Sequence, residues 1–161
     1  MKTFLFKITV ITLLVTGIFS SCKEKNTLET PLANTKWKLV GIVDAETGKL
    51  TELEPQNCNE CYRLEFDKEP VYFCYPDHDM PSSMYFAQAV ELSFWGCYNI
   101  NHTLSTLQFI GVERPDMEDI YDGEFYYEIM LNVHAFELKG SELKLHYNDK
   151  KKYLMYEEAK Q

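Results

Sequence analysis

The chain has 161 residues, with 25 acidic side chains against 16 basic ones and a formal net charge of −9. Nucleic acid is excluded as a partner, because phosphate binding draws on clustered Lys and Arg. The same charge gives no electrostatic attraction to anionic lipid headgroups. The length is that of one domain with one core, and eleven Tyr with ten Phe favour a β-rich globule.

The first element is a leader. Lys2 and Lys7 precede an apolar run that ends Leu13-Leu14-Val15-Thr16-Gly17-Ile18-Phe19-Ser20-Ser21-Cys22. A basic start, a short apolar stretch and small residues before a break mark a secretory signal. The run is too short for a comfortable membrane span, which takes about 20 residues. Ser20-Ser21-Cys22 resembles a bacterial lipobox, with Phe19 where leucine is more usual. That resemblance implies cleavage before Cys22, acylation (palmitate included) of its thiol and amine, and a protein lipid-anchored in the cell envelope, at the outer membrane. An ordinary secretory signal, with Cys22 a spare thiol, is the alternative. The expected organisation is a signal peptide over 1–21, a lipidated flexible tether over 22–33 and a β domain over 34–161. Without the two leader lysines the charge is about −11. Lys23-Glu24-Lys25 partly resembles the charged tag of surface lipoproteins of the Bacteroidetes.

Cys58, Cys61, Cys74 and Cys97 remain after Cys22. An even number in an exported protein suggests disulfides. Three pairings are open; Cys58–Cys61 as a loop staple with Cys74–Cys97 between strands is the preferred one. Cys58-x2-Cys61-x12-Cys74-x3-His78 has spacing compatible with tetrahedral zinc, but the oxidising compartment favours disulfides, and no metal or cofactor is expected.

The first strand is expected over 36–44, with Trp37, Leu39, Gly41 and Val43 on one face. Glu46-Thr47-Gly48-Lys49 is a turn, followed by a short strand from Leu50 that stops at Pro55. Residues 62–67 alternate cleanly, Tyr62, Leu64 and Phe66 against Arg63, Glu65 and Asp67. A β run over 71–75 and a loop over 76–83 follow. Residues 84–94 read as one long strand with Met84, Phe86, Val90, Leu92 and Phe94 facing the core. Tyr72, Tyr85 and Trp95 then fall on the opposite face and form a candidate ligand patch. Strands are expected at 96–101 and 104–112. Residues 124–133 fit both a helical stripe (Phe125, Ile129, Val133) and a strand; length favours the helix, with Asp122 as N-cap. Strands over 136–138, 142–147 and 152–157 form a closing meander.

The opening Leu32-Ala33-Asn34-Thr35-Lys36-Trp37-Lys38-Leu39-Val40-Gly41 resembles that of the META (HslJ-like) domain and is similar to the first strand of lipocalin-like barrels. Glu142-Leu143-Lys144-Leu145-His146-Tyr147-Asn148-Asp149 and Tyr153-Leu154-Met155-Tyr156 resemble the closing hairpin of META-like lipoproteins of the Bacteroidetes. The resemblance implies a mainly β fold: a small antiparallel β-barrel or half-barrel with one short helix. It carries over no catalytic residue.

Other constellations carry less. Asp77-His78-Asp79 with Ser82 and Ser83 holds the residue types of a hydrolase, but a triad is assembled in space, and no GxSxG, HExxH or Walker pattern is present. Asp116, Glu118, Asp119, Asp122 and Glu124 form an acidic cluster without EF-hand spacing. His102, His134 and His146 are isolated. Asn101-His102-Thr103 fits a eukaryotic glycosylation sequon. The expectation is a non-enzymatic envelope lipoprotein. It would bind a small apolar or aromatic ligand, or act through its surface on another envelope protein, as partner or inhibitor; a hydrolase ranks last.

Overall fold

The computed structural model describes residues 31–71 and 82–159. Nine strands form one antiparallel sheet: β1 (Thr35–Asp44), β2 (Leu50–Thr51), β3 (Arg63–Val71), β4 (Ser82–Gln88), β5 (Ser93–Asn101), β6 (Thr106–Glu113), β7 (Ala135–Lys139), β8 (Glu142–Tyr147) and β9 (Lys152–Glu158). Helix α1 (Gly123–Leu131) stands between β6 and β7. Pairing runs in the order β2-β1-β3-β4-β5-β6-β7-β8-β9, and β1 also pairs with β9 from Trp37↔Glu158 to Asp44↔Lys152. The result is a closed eight-stranded antiparallel barrel with β2 laid beside β1. Closure removes the free strand edges of a half-barrel.

Period-2 patterning explains most of the wall. Leu64 and Phe66 of β3, Leu143 and Leu145 of β8, and Leu154 and Tyr156 of β9 are buried. β1 departs from a simple alternation. Its register against β9 shifts between Leu39 and Gly41, so Leu39 and Ile42 both join the core cluster. An extra residue in one strand moves the following side chains to the other face. Gly41 permits this: a Cβ there would lie 2.7 Å from the Thr51 carbonyl oxygen of β2.

The long strand expected over 84–94 is two strands. β4 and β5 are joined by a turn in which the Ala89 N–H donates to the Leu92 carbonyl at 2.7 Å. The turn inverts the expected faces of β4. Tyr85 and Ala87 point inward, whereas Phe86 is 39% exposed. Asp119 holds the turn from a distance: its Oδ2 accepts N–H bonds from Val90, Glu91 and Leu92 at 3.2, 2.9 and 3.0 Å.

The helix expected over 124–133 forms, with Tyr126, Ile129 and Met130 buried, while Phe125 turns outward. Asp122 occupies the N-cap position without capping the helix; its carboxylate accepts the Glu54 N–H at 2.8 Å. β6 and β7 register only at Thr106↔Ala135. α1 fills the space this leaves at the β4–β5 and β8–β9 turn end of the barrel. The folded part begins earlier than residue 34, since Leu32 is fully buried and its carbonyl accepts the Thr35 hydroxyl. No helix among the described residues is long and apolar enough to cross a membrane.

Candidate functional site

The barrel interior is packed by its own aromatic side chains. Trp37, Tyr85, Phe94, Tyr126 and Tyr156 are each at most 2% exposed. Tyr62 and Phe94 pack on Tyr126 with ring centroids 5.4 and 5.7 Å apart, and Tyr85 lies 4.3 Å from Phe109. Tyr126 and Tyr156 share a hydroxyl–hydroxyl bond of 3.0 Å, and the Tyr156 hydroxyl also reaches Met130 Sδ at 3.5 Å. Burial pushes the ionisation of Tyr62, Tyr85, Tyr126 and Tyr156 well above the ordinary tyrosine range. These phenols stay neutral and serve packing. The Tyr85 hydroxyl has no hydrogen-bond partner among the described residues.

One apolar surface that remains available is on the outer wall. Register aligns Lys36↔Glu65, Glu65↔Phe86, Phe86↔Trp95 and Trp95↔Glu113 across five strands. Directly opposed residues on one face touch, so Phe86 and Trp95 form an aromatic pair flanked by charge. Lys36 Nζ meets Glu65 Oε2 at 2.8 Å on one side. Met84, Phe86 and Trp95 border a groove of about 440 Å³ that also reaches Asn34, Thr35, Lys36 and Asp67. A larger cleft, about 670 Å³, lies where β6 parts from β7; its lining includes Asn99, Asn101, Gln108, Asn132 and His134. The groove is the apolar one, of the kind that takes an aromatic or aliphatic group.

The sequence-predicted residues distribute as follows. Of the two described members of the Tyr72, Tyr85 and Trp95 patch, Trp95 stands at the surface, half-buried. Tyr85 is a core residue at 1% exposure, because β4 faces the opposite way. Tyr72 lies outside the described residues, as do the leader, Cys22, Cys74 and Asp77-His78-Asp79. Ser82 and Ser83 open β4. Phe86 takes the place at the patch that sequence assigned to Tyr85. The signal for it was local ambiguity: two adjacent aromatics, Tyr85 and Phe86, satisfy either parity.

Cys58 and Cys61 are disulfide-bonded, with Cα atoms 5.4 Å apart. Lys38 Nζ donates to the carbonyls of both. Burial, helped by nearby Arg63 and opposed by Glu60, lowers the Lys38 pKa. Cys97 is also disulfide-bonded. The described residues hold no cluster of three metal-ligating side chains. The acidic loop is used for architecture: Asp119 on the β4–β5 turn, Asp122 on Glu54, and Glu124 paired with Arg114 at 2.5 Å.

The chain has relatives among known proteins. A Tannerella forsythia protein named "Putative lipoprotein" is 30% identical over 144 residues, which is 88% of this chain and 86% of that protein. The chain belongs to the family of that protein. No family model matches it. Among solved structures, the crystal structure of a DUF4847-family protein from Bacteroides vulgatus superposes with a TM-score of 0.55 at 12% identity, covering 81% of this chain and 96% of that one. An NMR structure of a Burkholderia xenovorans protein gives 0.50 at 11%, over 81% and 85%. At such identities the family of barrels shares the fold alone.

Proposed function

We propose that this protein is a non-enzymatic lipoprotein of the cell envelope, acylated on Cys22, that works through the outer wall of its barrel as a partner or inhibitor of another envelope protein. The relative's name and the leader pattern support the lipid anchor; the outer membrane is the place proposed for it. The resemblance of Trp37 and the closing hairpin to META and lipocalin-like barrels fits the same view. The observation that carries the reading is the contrast between inside and outside. Large aromatics, Trp37, Tyr85, Phe94, Tyr126 and Tyr156 among them, occupy the interior, while the Phe86–Trp95 pair faces solvent beside a groove of about 440 Å³. Aromatic side chains of this kind anchor protein interfaces. A small apolar ligand in the same groove is the second reading, favoured by its Met84, Phe86 and Trp95 border.

The test is a photo-crosslinking residue at position 86 of the acylated protein in its native envelope. One stoichiometric protein adduct, lost in Trp95→Ala, supports the partner reading. A co-purifying small molecule in native mass spectra, released by Trp95→Ala, replaces it with the ligand reading. Neither adduct nor ligand removes the groove as the site.

A further inference from the structure

A second apolar surface lies at the end of the barrel opposite the start of β1. β1 starts at Thr35 and ends at Asp44, which pairs with Lys152 after the β8–β9 turn. α1 sits at that far end, where its flank meets Tyr147 and Asn148. Five of the exposed large apolar side chains fall within residues 117–131: Met117 at 42%, Ile120 at 69%, Tyr121 at 47%, Phe125 at 48% and Leu131 at 45%. Phe125 stands in the first turn of α1, and Tyr121 comes immediately before the N-cap Asp122. Beside Phe125 is a hollow of about 280 Å³, closed by Ile129 and Tyr147, with Glu128 and Asn132 on its border.

Carboxylates predominate along the stretch that carries this face. Between 113 and 128 stand seven carboxylates and one cation, Arg114. Arg114 is consumed by Glu124 and by the Tyr127 ring, 4.6 Å from its guanidinium carbon. Asp119 and Asp122 are committed to backbone N–H groups. Asp116, Glu118 and Glu128 are exposed around the apolar residues.

We infer that this face docks a basic amphipathic segment of a partner protein: apolar residues on Tyr121 and Phe125, one side chain in the hollow, and Lys or Arg against Glu118 and Glu128. Complementary potential selects such a partner and steers its approach. The bilayer is the wrong occupant, since an acidic face gains nothing at anionic headgroups. A second copy is the nearest rival, because Lys150, Lys151 and Lys152 lie on the turn at this end. It would bring its own net negative charge against this one. This surface is separate from the Phe86–Trp95 groove and stands without it.

The experiment uses the non-acylated Cys22→Ser protein, which keeps every folded residue and needs no detergent. The probe is a fluorescent amphipathic peptide of leucine and lysine, with a leucine–glutamate peptide as control. Anisotropy is expected to show saturable binding of the lysine peptide only, weakened by salt. Phe125→Ser and Glu128→Lys should each weaken it by about tenfold or more, whereas Phe86→Ser should leave it unchanged. Both test side chains are exposed, and near-UV circular dichroism checks that the fold is kept. Absence of binding, equal binding of the two peptides, or insensitivity to both Phe125→Ser and Glu128→Lys overturns the proposal. Concentration-dependent dimerisation abolished by Phe125→Ser, without peptide binding, overturns it in favour of a second copy.

Discussion

The hydroxyls of Tyr126, on the helix, and Tyr156, on the last strand, meet at 3.0 Å inside the barrel, both fully buried. This contact fastens α1 to the wall that closes the barrel. Removing one hydroxyl leaves the other short of a partner, which costs about 1–3 kcal/mol. Tyr126→Phe and Tyr156→Phe should each lower stability by about that amount in urea unfolding. The double variant should lose less than the sum, because no polar atom is then stranded.

Asp119 is expected to be the more sensitive acid of the loop. Burial works to raise its pKa, but the N–H groups of Tyr121, Glu91, Leu92 and Val90 outweigh it and hold the carboxyl below its ordinary value. A depressed folded pKa means stability that is present above the unfolded value, about 3.9, and is lost as pH falls through the folded one. Asp119→Ala should cost about 2 kcal/mol at neutral pH, and the variant should lose the wild-type fall in stability below about pH 4. Gly123→Ala should act similarly, since its Cβ would come within 2.3 Å of the Asp119 carboxylate. Thermal melts across pH 2–7 check both.

Gly41→Ala tests the bulge. Its Cβ would press on the Thr51 carbonyl at 2.7 Å and on Leu50 Cδ1 at 2.9 Å. A cost of about 1–3 kcal/mol follows from overpacking, together with faster amide exchange at Leu50 and Thr51 as β2 is displaced.

His146 predicts a separate response at mildly acid pH. The ring is 7% exposed, and Glu137 Oε1 comes within 3.0 Å of Nε2 without hydrogen-bond alignment. Burial lowers its pKa; Glu137 pulls the other way, and Lys150 and Lys144 add to the lowering. The folded state therefore favours the neutral ring. Stability should be full above the unfolded pKa near 6.5 and should decline as pH drops toward the folded value. His146→Gln should flatten the melting temperature between about pH 6.5 and 5.

Elements whose alternation is local were legible in the sequence. Tyr62, Leu64 and Phe66 go inward as their spacing demands, as do Leu143 and Leu145. The disulfide between Cys58 and Cys61 matches the preferred one of the three pairings that sequence left open. The faces of β4 were not. Ala89, Val90, Glu91 and Leu92 contain no Gly, Pro or Asn to announce a turn; the stabilising carboxylate arrives from Asp119, at least 27 residues later. A turn held by a distant side chain leaves no mark in its own segment. Tyr85 was therefore given to the surface and Phe86 to the core. The outward side chains of α1 were hidden for a related reason: Phe125 shares the spacing of Ile129 and Val133, and only the position of the barrel decides that Tyr126 turns inward instead.

The pairing of β1 with β9 has a consequence for the order of assembly. Trp37 and Leu39 gain their neighbours Glu158 and Tyr156 only when the chain through β9 is present. Until the last strand is in place the first has one open side, so the barrel wall can close only as a late, long-range event joining the two ends of the β domain.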